Sequence, residues 1–147
     1  MKIAIGSDHG GFPRKEELAS RLINAGHKVI NCGTDSTDMV DYPVFARKTV
    51  EIMFAENCDF AILVCGTGIG MSIAANKLEG VRAALVTDCF SAEMAKAHND
   101  ANVITLGART IGIELAWKIV KSFMQAEFLH GIHEPRVAML NDMSIAN

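Results

Sequence analysis

Residues 60–65 read Phe-Ala-Ile-Leu-Val-Cys, six apolar side chains in a row, and the next five are Gly-Thr-Gly-Ile-Gly. A strand with no polar alternation has to be covered on both faces, which is the habit of parallel sheets layered between helices. The rest of the chain repeats that unit. Short apolar stretches at 2–7, 28–31, 82–87 and 103–106 read as further strands. Helical stripes lie between them: from Pro13 through Leu18, Leu22 and Ile23 to a stop at Gly26, from Pro43 to 57, from 69 to 77, and from 91 to 98 with Ser91 as N-cap. A long helix over 110–128 carries Ile113, Trp117, Val120 and Met124 on one face and is broken by Gly131. A last helix over 135–143 has Val137, Leu140 and Met143 at helical spacing, suited to packing on this subunit or on a partner. Residues 32–41 are polar and turn-rich, a loop. The pattern predicts an α/β domain: a five-stranded parallel sheet covered on both faces, with a C-terminal helix.

The 147 residues suit one domain, 1–147. Half of them are hydrophobic and 21% are charged, which argues against a disordered chain. A net charge of −3 argues against a general binder of nucleic acid or of anionic membranes. No apolar run approaches the roughly 18–20 residues of a membrane span, and the N-terminus goes straight into a strand without a secretion signal. A cytoplasmic location is therefore expected, with Cys32, Cys58, Cys65 and Cys89 as free thiols. None is arranged as CxxC or at zinc-ligand spacing, so no metal site is expected.

Ligands of open α/β sheets bind beyond the carboxyl ends of the strands. That rule directs attention to Asp8 and His9 after the first strand and to Cys65 with Gly66, Thr67, Gly68, Ile69 and Gly70 after the third. It also brings in Tyr42 in the loop before the second helix, His98 and Asn99 at the end of the fourth, and Arg109 after the fifth strand; Arg136 lies near the C-terminus. Cys65 precedes glycines that open a helix, where backbone N–H groups favour a thiolate and can hold an oxyanion. The glycines do not spell G-x-G-x-x-G, and no phosphate-loop motif occurs, so a nucleotide reading fits badly. Each residue also has a plain structural role open to it. Cys65 can be core, Thr67 a turn residue, Asp8 a turn cap, His9 an exposed imidazole, and Tyr42 a half-buried ring. His98 can answer the helix dipole, Asn99 can be a C-cap, and the two arginines can be solvated charges. Taken together, a base, oxyanion donors, a second acid/base and cations for phosphate suit proton abstraction beside a carbonyl on a small phosphorylated substrate.

The strings IGSDHGG, DYP, CGTGIGMSIAANK and AHNDANVITLGAR resemble the type B ribose-5-phosphate isomerases and the related isomerases of allose and galactose phosphates, over roughly residues 1–137. The resemblance implies a Rossmann-like three-layer sandwich and an aldose–ketose isomerase without cofactor or metal. It implies a homodimer or dimer of dimers with active sites at the interface. Carried over by position, Cys65 is the base that moves a proton between C1 and C2, and Thr67 with the amides of residues 66–70 surrounds the enediolate. Asp8 holds the sugar, His98 opens the furanose ring with Tyr42 nearby, and Asn99 binds the sugar or the enediolate. His9, Arg109 and Arg136 lie on the phosphate side.

One position departs from the family pattern. Ile132, in Gly131-Ile132-His133-Glu134-Pro135-Arg136, stands where an arginine is usual. Loss of one charge-assisted contact there corresponds to about 1.5–3 kcal/mol of phosphate binding. Two further readings follow: an isomerase of a six-carbon sugar phosphate of the allose 6-phosphate type, and a non-catalytic sugar-phosphate-binding domain. The presence of Cys65, Thr67 and His98 together argues against the latter.

Overall fold

The computed structural model describes residues 1–143. Its strands are β1 (Lys2–Ser7), β2 (Lys28–Asn31), β3 (Phe60–Cys65), β4 (Ala83–Leu85) and β5 (Val103–Gly107). Its helices are α1 (Phe12–Asn24), α2 (Tyr42–Ala55), α3 (Ile69–Ala75), α4 (Cys89–Ala97), α5 (Ile113–Gln125) and α6 (Glu134–Asn141). The sheet is parallel throughout in the order β2-β1-β3-β5-β4.

Alternate residues of each strand face two separate cores, which is why the apolar runs are unbroken. Ile3, Ile5, Ile62, Val64, Ile104 and Leu106 pack against α1, α4 and α5. Ala4, Ala61, Leu63, Cys65 and Val103 face the other way, against Ala46, Val50 and Met53 of α2 and Met71 and Ala75 of α3. The chain therefore leaves β1 toward one face and β3 toward the other. Their carboxyl ends, neighbours in the sheet, form a topological switch point with a crevice above it. Register pairs Ser7 with Val64 and Cys65 with Gly107, so Asp8, Cys65 and the residues after β5 emerge side by side.

Several boundaries differ from the sequence expectation. Asp88, not Ser91, caps α4: its carboxylate accepts the Ser91 N–H at 2.8 Å and the Ser91 hydroxyl at 2.7 Å, and the helix starts at Cys89. That cap turns the chain away from the sheet and leaves β4 with three residues instead of six. Pro43 occupies the first turn of α2, but Tyr42 is already helical. Helix α5 ends at Gln125, well before Gly131, because the following segment docks on α4, the Leu129 N–H donating to the Ala97 carbonyl at 3.0 Å. The turn that leads into α6 uses positive φ at His130 (54°) and Gly131 (55°). Met143 lies just beyond α6. Among the described residues no helix is long and apolar enough to cross a membrane.

Candidate active site

Cys65 is the last residue of β3 and is 5% exposed. The turn that follows brings the Gly68 N–H back onto it, donating to Sγ at 3.1 Å. Gly68 has φ 81° and makes close backbone approaches: a Cβ there would lie 3.0 Å from the Leu106 carbonyl carbon and 3.2 Å from the Gly107 nitrogen. Glycine is thus what lets the turn fold over the sulfur. The Thr67 hydroxyl accepts the Ile69 N–H at 3.3 Å, a turn-forming role, with Thr67 itself exposed. Tyr42 reaches the same loop: its ring carbons lie 2.9–3.2 Å from where a Gly70 Cβ would be.

The neighbouring strand ends add to this group. Asp8 is 7% exposed, and its Oδ1 accepts the Gly11 N–H at 3.0 Å. The position of a Gly10 Cβ is 3.4 Å from Asp8 Oδ1, 3.4 Å from the Gly66 nitrogen and 3.6 Å from Arg109 Nη2. A carboxylate, a backbone donor and a guanidinium therefore converge on one small region. The Arg109 N–H donates to the Gly66 carbonyl at 3.0 Å, and its side chain lies along Gly66. His9, half-buried, has its Nδ1 3.2 Å from both the N–H and the carbonyl oxygen of Val40. Sequence reasoning carried no sign of that clamp, since Val40 contributes only backbone.

The remaining candidates sit elsewhere. Helix α4 returns from the carboxyl end of β4 to the amino end of β5, so His98, its C-cap, and Asn99 lie at the amino edge of the sheet. The rule of strand carboxyl ends does not reach them. His98 stacks on His133 with ring centroids 4.2 Å apart and planes 8° from parallel. Partial desolvation, followed by the positive charge that His98 and Arg136 can carry, pushes the His133 imidazole below its ordinary range. Arg136 follows in α6, and Ile132 is 69% exposed beside them. A sheet five or six residues deep separates the two groups, about 17–20 Å along the strands. Within one chain Arg136 does not meet Arg109 and His9, and His98 does not meet Cys65.

Lys15 was not singled out by the sequence. It is 1% exposed, and its Nζ bonds to Asn31 Oδ1 at 2.9 Å and to the Thr34 carbonyl at 2.6 Å. The available signal was helical spacing, which puts it on the buried stripe of Leu18 and Leu22. Among the described residues no three His, Cys, Asp or Glu side chains converge to hold a metal ion.

Residues 3–140 match the family described as Ribose/Galactose Isomerase. The chain belongs to this family. As a ribose/galactose isomerase it is 43% identical over 136 residues to the ribose-5-phosphate isomerase B of Escherichia coli, covering 92% of this chain and 91% of the relative. A galactose-6-phosphate isomerase subunit of Clostridium acetobutylicum is 39% identical over 128 residues, 87% of this chain and 74% of the relative. The solved structure of ribose-5-phosphate isomerase B from Clostridium thermocellum superposes with a TM-score of 0.94 at 47% identity, covering 97% of this chain and 96% of that one. The protein is an isomerase of the sugar-phosphate class with the five-stranded α/β fold of its relatives.

Proposed function

We propose that the protein interconverts ribose 5-phosphate and ribulose 5-phosphate in the cytoplasm, as a homodimer or dimer of dimers. Residues 1–147 act as one domain, and each active site joins the carboxyl end of one subunit's sheet to the amino edge of its partner's. The observation that carries the reading is the Cys65 sulfur held against the Gly68 N–H at the switch point of an isomerase fold. That contact fixes the position of the atom that would remove a proton next to a carbonyl.

In this mechanism the phosphate docks against Arg136, His9 and Arg109. His98 exchanges a proton with the ring oxygen and the furanose opens, with Tyr42 and Asp8 positioning the sugar. The Cys65 thiolate takes the C2 proton of the aldose, and the electron pair of that C–H bond forms the C1–C2 double bond of the enediolate. Thr67, Asn99 and the amides of Gly66 and Gly70 hold its oxygens, while the Ile69 N–H orients the Thr67 hydroxyl. The hydroxyl proton then passes from O2 to O1 while Cys65 returns the carbon-bound proton to C1, the C1–C2 double bond supplying the electron pair of the new C–H bond and the carbonyl forming at C2. The chemistry is proton transfer throughout and calls on no cofactor or metal.

Two features support assembly from two chains. His98 and Arg136 lie at the opposite end of the sheet from Cys65, and α3, beside Cys65, exposes Ile69 (51%) and Ile73 (56%) one turn apart. A second copy that covers this apolar pair brings its amino edge to the sulfur, and a two-fold axis repeats the arrangement.

The test is isomerisation of ribose 5-phosphate and, in parallel, of allose 6-phosphate by wild type and Cys65→Ala. Pentose turnover that disappears in the variant is the expected result. Turnover of the six-carbon sugar alone would move the substrate, in keeping with the galactose-6-phosphate relative and with Ile132. Absence of turnover with either sugar would contradict the reading.

A further inference from the structure

We propose that Lys15 is a positioning residue: it fastens the segment 32–41, and through that segment it sets the His9 imidazole for substrate binding. The inference rests on the sugar-phosphate reading of the site. A buried ammonium is costly unless its hydrogen-bonding capacity is met. Leu18, Ala19 and Leu22, the other buried residues of α1, are apolar, so the charge at Lys15 answers to its acceptors. These are Glu16 Oε1 at 2.8 Å, Asn31 Oδ1 at 2.9 Å and the Thr34 carbonyl at 2.6 Å, with the Phe12 ring 4.9 Å from Nζ. Two of the three belong to the end of β2 and the start of the segment. Thr34 is itself buried, and its N–H donates to the Ser7 carbonyl at 3.1 Å. Gly33 lies so near that a Cβ there would be 2.8 Å from Lys15 Cδ.

The far end of the segment is fastened to the site. Val40 meets His9 Nδ1 through its own backbone, 3.2 Å from either polar group. Between the two fasteners the side-chain hydrogen bonds are local, joining Thr34 to Ser36 and Ser36 to Asp38. The strap thus runs from a buried cation to a half-buried imidazole. Pairing Val40 with Nδ1 fixes the ring's orientation and leaves Nε2 as the atom that can face an anion.

Two variants test this, Lys15→Met and Asn31→Ala; Asn31 is exposed, so its loss spares the fold while removing one acceptor. Amide hydrogen exchange at Val40 and Gly68 is read without substrate, and kcat and KM for ribose 5-phosphate are read separately. In Lys15→Met the Val40 amide is expected to exchange about tenfold faster while Gly68 is unchanged. KM is expected to rise about tenfold with kcat within about threefold of wild type. Asn31→Ala should move the same quantities in the same direction by less. Unchanged Val40 exchange in both variants would overturn the proposal. So would equal acceleration at Gly68, which reports a loosened fold, or a fall in kcat at constant KM. If wild type itself turns over neither sugar, the isomerase reading fails, and the Val40 exchange alone then decides whether Lys15 fastens the strap.

Discussion

The two ends of the sheet are built differently. At the carboxyl end the sulfur of Cys65 and the carboxylate of Asp8 are buried and held by backbone N–H groups of Gly68 and Gly11. At the amino edge the corresponding groups are surface side chains: His98 and His133 are half-buried and stacked on each other, while Asn99, Ile132 and Arg136 are exposed. The first end is a finished geometry. The second presents polar groups and an exposed isoleucine outward, which in the proposed assembly a partner subunit covers. In the proposed mechanism the base that removes the carbon-bound proton sits in the tightly preorganised end, whereas the ring-opening imidazole and one phosphate-binding cation are delivered from a partner.

The largest expected effect breaks the carboxyl end alone. Cys65→Ser should keep the fold, since it is nearly isosteric, and lower kcat for ribose 5-phosphate by about 10²–10⁴-fold, the usual contribution of a positioned base. Circular dichroism and initial rates check both halves of that statement. Next in size, Arg109→Ala and Arg136→Ala take one cation from each end. If both ends serve one phosphate, each should raise KM by about 10- to 150-fold, the equivalent of a charge-assisted bond. A rise for one and none for the other in Michaelis curves would assign the phosphate to a single end.

Smaller effects sharpen the contrast in stability. Gly68→Ala places a β-carbon against the backbone of β5 at φ 81° and should cost about 1–3 kcal/mol in urea unfolding. Asn99→Ala, at the exposed edge, should stay within about 0.5 kcal/mol. The smallest effect is one of pH. His133 is held below its ordinary range, so the folded state disfavours its protonation and the unfolded state binds more protons as pH falls below about 6.5. Stability from this group is therefore complete above that pH and declines on acidification. Thermal unfolding from pH 7 to pH 5 should show a steeper loss in wild type than in His133→Asn.

Much of this was legible in the sequence. The unbroken apolar run at 60–65, with four shorter companions, carried the parallel sheet, and the glycines after Cys65 marked the turn that folds onto it. The order β2-β1-β3-β5-β4 was not legible, because strand adjacency depends on which face each helix takes. The extent of β4 and the start of α4 turned on Asp88, whose capping competes with the strand for the same residues. The group Asp8, Cys65 and Arg109 follows from strand ends. The placement of His98 and Arg136 at the other edge does not, since helices return the chain to the amino side before those residues appear. Val40 on His9 was invisible in principle, being a backbone contact from a loop.

The most direct test of a site built from two chains is complementation. Cys65→Ala and His98→Asn, each expected to be inactive alone, are mixed in equal amounts, unfolded and refolded together, and assayed for pentose isomerisation. A mixed dimer holds one site with both residues intact. With random pairing, activity should recover to about one quarter of the wild-type value. If each chain supplied Cys65 and His98 to the same site, the mixture would stay as inactive as its parents, and the account of two complementary ends would be wrong.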